Sequence, residues 1–258
     1  MDVVVCVKQV PDTWAEKRLD PDDRTLDRTS DSVMNELDEY AVEEALRLTE
    51  AHGGEVTVLT MGPESAVETI RKALSMGADK AVHLTDPALH GSDAVQTSYA
   101  LARALGTLTF DLVVLGSEST DARMSVLAPM LAERLGLPQL TLARKVEVDG
   151  SSVRIERQTD AGYDVVEASL PAVVSVVEKI NEPRYPSFKG IMAAKKKPLT
   201  TLTLGDAGIE PAEVGLAAST SKVADFATRP PRAGGTIVDD DGTGGSQLAV
   251  FLATQKFI

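Results

Sequence analysis

Residues 55–84, EVTVLTMGPESAVETIRKALSMGADKAVHL, carry the pattern that decides the fold. Glu55 to Thr60 is a short apolar run, rich in β-branched residues, as a strand buried on both faces requires. It stops at Met61-Gly62-Pro63, where the fixed φ of proline suits the first position of a helix. Val67, Ile70 and Leu74 then recur at helical spacing as far as Gly77, and Lys80 to Leu84 is a second apolar run. Strand, helix and strand in this order make a right-handed crossover, with two parallel strands and a helix across one face.

The same alternation extends in both directions. Asp2 to Val7 reads as a buried strand. Asn35 is placed to cap a helix from Glu36 to about Ala51, with Leu37, Ala41, Ala45 and Leu48 on one face and Gly53-Gly54 as its stop. Ser92 is expected to cap a helix carrying Val95, Leu101 and Leu105 that closes at Gly106. Asp111 to Leu115 is a further strand. It runs into Gly116-Ser-Glu-Ser-Thr-Asp121 and then a helix with Val126, Leu127, Met130 and Leu135. The expected class is α/β: a Rossmann-like, mainly parallel sheet with helices on both faces. Beyond Pro138 the period changes to two, and an antiparallel hairpin is predicted over about 144–168. The α/β core is assigned to 1–185, a loop and short helix to 181–200, and an extended C-terminal arm to 201–258, ending in an apolar helix from Leu248 to Phe257.

Composition removes several functions. The 258 residues carry a net charge of −13 and only 4% aromatics, which disfavours binding to nucleic acid or to anionic membranes. One cysteine, Cys6, excludes an internal disulfide, and three histidines without a second thiol argue against structural zinc. The start lacks the features of a signal peptide, and no apolar run approaches the ~20 residues of a membrane span. A cytoplasmic protein without membrane insertion is expected.

In such sheets ligands bind beyond the carboxyl ends of the strands, where helix N-termini offer free amides. Two loops qualify, Met61-Gly-Pro-Glu-Ser65 and Gly116 to Asp121. Gly116 permits close backbone approach, and Ser117, Ser119, Thr120 and Ser125 offer hydroxyls to a phosphate or ribose; plain capping and turn roles explain the same residues equally well. Neither GxxxxGK[ST], GxGxxG nor GxSxG is present. A triad of Ser117, His83 and Asp121 is poorly supported by spacing, and Cys6, in mid-strand, reads as inert, so no catalytic residue is assigned. Trp14 lies in a long polar loop from Gln9 to about Met34. It either anchors that loop to the core or borders a ligand or partner. Phe188 is either a protruding anchor or packed locally on Ile191 and Met192. Lys195-Lys-Lys197 is explained by the dipole of the short helix it ends.

The segment 176–197, VVEKINEPRYPSFKGIMAAKKK, closely resembles the hallmark of electron transfer flavoprotein β subunits, the family that includes FixA, in its actinobacterial-like form. Val5 to Asp12 (VCVKQVPD), Asn35 to Leu46 (with AVEEAL at 41–46) and Ala66 to Asp79 (with IRKALSMGAD at 70–79) are similar to the same family. The resemblance implies an adenine-nucleotide-hydrolase-like version of the Rossmann-like fold, and a heterodimer whose α subunit holds most of the FAD site while β buries a structural AMP. Carried over by position, the AMP site comprises Cys6, Asn35, Glu36, Leu37, Asp38, Met61, Gly116, Ser117, Glu118, Ser119, Thr120, Asp121, Ala122, Arg123, Met124, Ser125, Val126 and Leu127. Relatives carry an acidic, Gln-rich stretch where this chain reads ARMSVL at 122–127, which shifts the expected phosphate contacts to backbone amides, Ser119, Thr120 and Arg123.

Thr13 and Trp14 correspond to the edge near the FAD of the α subunit. Tyr185, Pro186, Ser187, Phe188, Lys189, Ile191 and Met192 correspond to the loop that docks a primary dehydrogenase. Phe188 stands where leucine is common, so a wider pocket on the partner is expected. The arm after 201 is expected to dock on α. The resemblance implies a subunit without its own catalysis, accepting electrons from acyl-CoA-type dehydrogenases, as in fatty acid oxidation, and passing them to a quinone-linked oxidoreductase. The alternatives are a bifurcating β subunit with a second FAD in place of AMP and a stand-alone nucleotide-binding stress-type protein.

Overall fold

The computed structural model describes residues 1–231, 234–235 and 237–258. In chain order the elements are β1 (Val3–Cys6), β2 (Gln9–Pro11), β3 (Ser32–Met34), α1 (Glu36–His52), β4 (Val56–Met61), α2 (Val67–Met76), β5 (Lys80–Leu84) and α3 (Ala94–Leu105). There follow β6 (Leu112–Gly116), α4 (Leu127–Leu135), β7 (Gln139–Asp149), β8 (Ser152–Thr159), β9 (Gly162–Ser169), β10 (Ala172–Val176), α5 (Phe188–Ala194), β11 (Leu199–Leu202), α6 (Gly215–Ala218) and α7 (Gly244–Thr254).

Nine strands form one sheet in the order β11-β5-β4-β1-β6-β10-β7-β8-β9, and β2 pairs antiparallel with β3 apart from it. β1 is central and parallel to both β4 and β6. Its valines show why the run is continuously apolar: Val3, Val5 and Val7 enter the layer under α1 and α2, whereas Val4 and Cys6 enter the layer under α3 and α4. Each buried valine contributes about 1.5–3 kcal/mol by leaving water. The chain builds outward from β1 through β4 and β5, then returns to the other side at β6. That reversal falls between β1 and β6, whose carboxyl ends are the usual ligand position in open α/β sheets.

The predicted class is therefore observed, with local corrections. β7 begins at Gln139, where it pairs parallel with β10, and only its second half joins the antiparallel meander with β8 and β9. The hairpin is thus an extension of the main sheet. The long polar loop is drawn together at its ends by the β2–β3 pair. The cap of α3 is Asp93, whose carboxylate accepts from the amides of Val95 and Gln96; Ser92 Oγ instead donates to the Leu89 carbonyl and accepts from Gly215 N–H. The arm does not begin at 201, because Leu199–Leu202 pairs with β5 as an edge strand and the compact unit continues to Ala224. Asp93 secures this extension, its second oxygen accepting from Thr220 and Ser221. The separate unit, Asp225–Ile258, contains α7, which starts and ends earlier than expected and leaves Leu248, Val250 and Phe251 exposed.

Candidate functional site

At this rim the strand ends and the start of α1 are tied by side chains. Asn35 precedes α1 but makes no side-chain cap. Its Oδ1 accepts from Thr120 N–H at 3.0 Å, and its Nδ2 donates to the Glu118 carbonyl and to Asp38 Oδ1, each at 2.9 Å. Asn35 is therefore a strut between α1 and the loop after β6. Asp38 Oδ2 accepts from Lys8 N–H at 2.7 Å. Burial pushes the Asp38 carboxyl up to about 7, although Asn35 and Lys8 oppose the shift. Gly116 permits a close approach, and the occupant is α1: a Cβ there would lie 2.7 Å from Asp38 Oδ1 and 2.8 Å from Leu37 Cβ.

Lys8 Nζ reaches across to Ser119 Oγ at 3.2 Å and Asp121 Oδ1 at 2.7 Å, while Arg28 Nη2 donates to Asp121 Oδ2 at 2.8 Å. Burial alone would raise the Asp121 carboxyl; Lys8, Ser119 and Arg28 outweigh it and hold it at about 2. One carboxylate between two cations leaves the cluster a net positive charge of one. Beyond Asp121 the loop turns sharply, with Arg123 (φ 48°) and Ser125 (φ 53°) in the left-handed region that non-glycine residues seldom occupy. Ser125 Oγ donates to Glu118 at 3.0 Å, and Ala122, Arg123 and Met124 face solvent. Val126 and Leu127 then enter α4.

Met61 ends β4 on the same rim. Cys6 is buried, and burial, helped by Asp38, pushes its thiol up to about 12, which makes it inert. The drawn triad does not exist: His83 Nε2 donates to the Gly62 carbonyl at 3.1 Å, and burial lowers its pKa. The structure thus gathers Cys6, Asn35 to Asp38, Met61 and Gly116 to Asp121 on one rim. Sequence reading missed Lys8 and Arg28. Lys8, two residues past a buried strand, carried a positional signal; Arg28, in a loop without periodicity, carried none. Among the described residues no group of three or more His, Cys, Asp or Glu side chains is arranged to hold a metal. Among the same residues no helix is long and apolar enough to cross a membrane.

Trp14 is 96% exposed, so it does not anchor the long loop; Thr13 Oγ1 donates to Glu36 Oε1 at 2.9 Å. On α1 and α2 sits a second surface. Arg184 forms a bidentate pair with buried Glu43 (2.7 and 2.9 Å) and a further pair with Glu50. Arg71 donates to the Ala194 carbonyl, and Lys197 Nζ donates to the carbonyls of Leu74, Gly77 and Ala78. Lys197 therefore closes the C-terminus of α2, a neighbouring helix and not the one it follows. Gly190 lies so close to α2 that a Cβ would stand 2.5 Å from the Ser75 carbonyl oxygen. Ser187 caps α5 by accepting from Gly190 N–H. Held this way, the segment turns Tyr185, Phe188 (81% exposed), Ile191 and Met192 to solvent, which excludes local packing of Phe188. Pro186 is half-buried and Lys189 exposed.

The family model described as "Electron transfer flavoprotein domain" matches residues 23–207. The chain is 55% identical to electron transfer flavoprotein subunit beta of Mycobacterium tuberculosis, over all of this chain and 99% of that protein. It is 38% identical to the subunit of the same name from Megasphaera elsdenii, over the whole of both chains. With FixA of Azorhizobium caulinodans it shares 41% identity, over 81% of this chain and 78% of that protein.

Proposed function

The chain belongs to the electron transfer flavoprotein β-subunit family, and from that premise we propose that it buries AMP at the rim of its sheet and presents the flavin of an α subunit to dehydrogenases. A role in electron transfer follows from the family; the nucleotide and the partners are the proposal.

The observation that carries the nucleotide reading is the chemistry of the rim. Thr120 Oγ1 is a buried polar atom without a hydrogen-bond partner, and the Lys8–Asp121–Arg28 cluster retains one positive charge beside the left-handed loop. A buried hydroxyl rarely stays unpaired, and a nucleotide would supply the missing partner. Ser119, Thr120, Arg123 and the loop amides would hold the phosphate. The segments at Asn35 to Asp38 and Met61 would line the remainder. AMP that joins α1, β4 and the β6 loop binds only the folded chain and so stabilises it, by about 2.7 kcal/mol at a hundred times its Kd. Removing the nucleotide is expected to lower the melting temperature by several degrees; an unchanged value refutes the structural role.

FAD, held mainly by the α subunit, would supply the electron-storing chemistry. This chain's part is to cover that site with the loop of Thr13 and Trp14, to bind α through the unit after Asp225, and to offer the Tyr185–Met192 surface to acyl-CoA-type dehydrogenases. A quinone-linked oxidoreductase would receive the electrons. One flavin per heterodimer supports this reading; two would favour a second FAD in place of AMP.

A further inference from the structure

Asp121 stands where three pieces of chain meet, and its side chain is only 2% exposed. It belongs to the loop between β6 and α4. Lys8, just beyond β1, holds one carboxylate oxygen, and Arg28, from the long loop between β2 and β3, holds the other at 2.8 Å. Arg28 also donates to the Gln9 carbonyl at 3.4 Å. Trp14, in the same long loop, packs on nothing that would fix it. Away from its β2–β3 stem, that loop is tied to the rest of the molecule by Arg28, by Thr13 on Glu36 and by Asp23 on His90. Of these side-chain ties only Arg28 ends on the loop proposed to bind phosphate.

We propose that Arg28 is a positioning residue that transmits occupancy of the nucleotide site to the long loop carrying Trp14. The proposal rests on the AMP reading. Asp121 is itself held by a loop with two left-handed residues, so the anchor of Arg28 is only as fixed as that loop. A phosphate bound by the loop amides orders the anchor, and an ordered anchor costs Arg28 less entropy to keep. The loop proposed to face the flavin-bearing subunit is then better ordered when this chain holds its nucleotide. Coupling of this kind is reciprocal: whatever factor AMP adds to the order of the loop, the intact Arg28 pair adds to the affinity for AMP.

The test follows hydrogen exchange by mass spectrometry in the heterodimer freed of nucleotide, with and without saturating AMP, with AMP affinity measured separately by calorimetry. With AMP, amides of residues 14–30 are expected to exchange about 5-fold more slowly or better in the wild type, the low end of typical couplings. In Arg28→Gln they are expected to exchange at one rate in both conditions, with AMP affinity reduced by the same factor. Arg28→Lys, which keeps a charge there, should recover part of the response and serves if the glutamine variant does not assemble. A merely structural Arg28 would raise exchange in both conditions and leave the AMP response intact, which overturns the proposal. AMP binding with residues 14–30 unchanged in the wild type also overturns it, while leaving the nucleotide reading in place. Failure of the wild type to bind AMP overturns both.

Discussion

Asp38→Asn should remove a pH dependence from the stability of this protein. The Asp38 carboxyl titrates near 3.8 when unfolded and at about 7 in the fold, chiefly because burial penalises its charge. Between these values the folded chain holds a proton that the unfolded chain has released. Stability from this group is therefore full below about pH 4 and falls as pH rises towards 7. From pH 5 to pH 8 the two values give a loss of about 2–3 kcal/mol, or about 5–10 °C in melting temperature for a chain of this size. His83 acts in the opposite sense, since burial lowers its pKa and its stabilisation grows as pH rises through the unfolded value. That contribution is common to wild type and variant and cancels in the comparison. Asparagine keeps the shape and one acceptor but carries no charge at any pH, so its curve should lack the fall. Urea denaturation of nucleotide-free protein, followed by circular dichroism from pH 5 to 8, measures both curves. If they run parallel within about 0.5 kcal/mol, Asp38 is not the buried acid described here.

Three further outcomes are expected. Gly116→Ala sets a Cβ 2.9 Å from the Leu37 carbonyl carbon as well as against Asp38, so α1 must retreat; a loss of about 2–3 kcal/mol in urea is expected, and wild-type stability would show that the contact is slack. Arg184→Gln leaves the buried Glu43 carboxylate without its bidentate partner and should cost about 2–3 kcal/mol by the same assay, while a cost below about 0.5 kcal/mol would mean that the segment is held by its backbone alone. Phe188→Ala should slow electron transfer from an acyl-CoA-type dehydrogenase about 10-fold or more while the FAD absorption spectrum is unaltered; an unaltered rate removes Phe188 as the anchor.

The sheet was legible because its signals are local. Residues 55–84 and the valines of β1 announce parallel strands through period and branching, and the caps at Gly53 and Gly77 stop helices where glycine is needed. The rim was legible in outline, since the strand ends locate it before any side chain is placed. Errors arose where tertiary contact overrode local preference. Asn35 looked like a cap and became a strut, because the loop after β6 offers it a carbonyl and an amide that a helix end does not. Gly116 suggested room for a ligand, and α1 fills that room. Leu199–Leu202 fell across the boundary set between the short-helix segment and the arm, and became a strand because the edge of β5 was open to pairing.

The sequence by itself determined the α/β class, the parallel core and, by resemblance, the family. These depend on spacing along the chain and on residue type, which folding cannot alter. Only the tertiary structure decided which charges meet. Lys8, Arg28 and Asp121 are separated by 20 and by 93 positions, and nothing in their neighbourhoods marks them as partners. Their pairing follows from where the sheet order sets β1 beside β6, and from the burial that makes an unpaired carboxylate there too costly to keep.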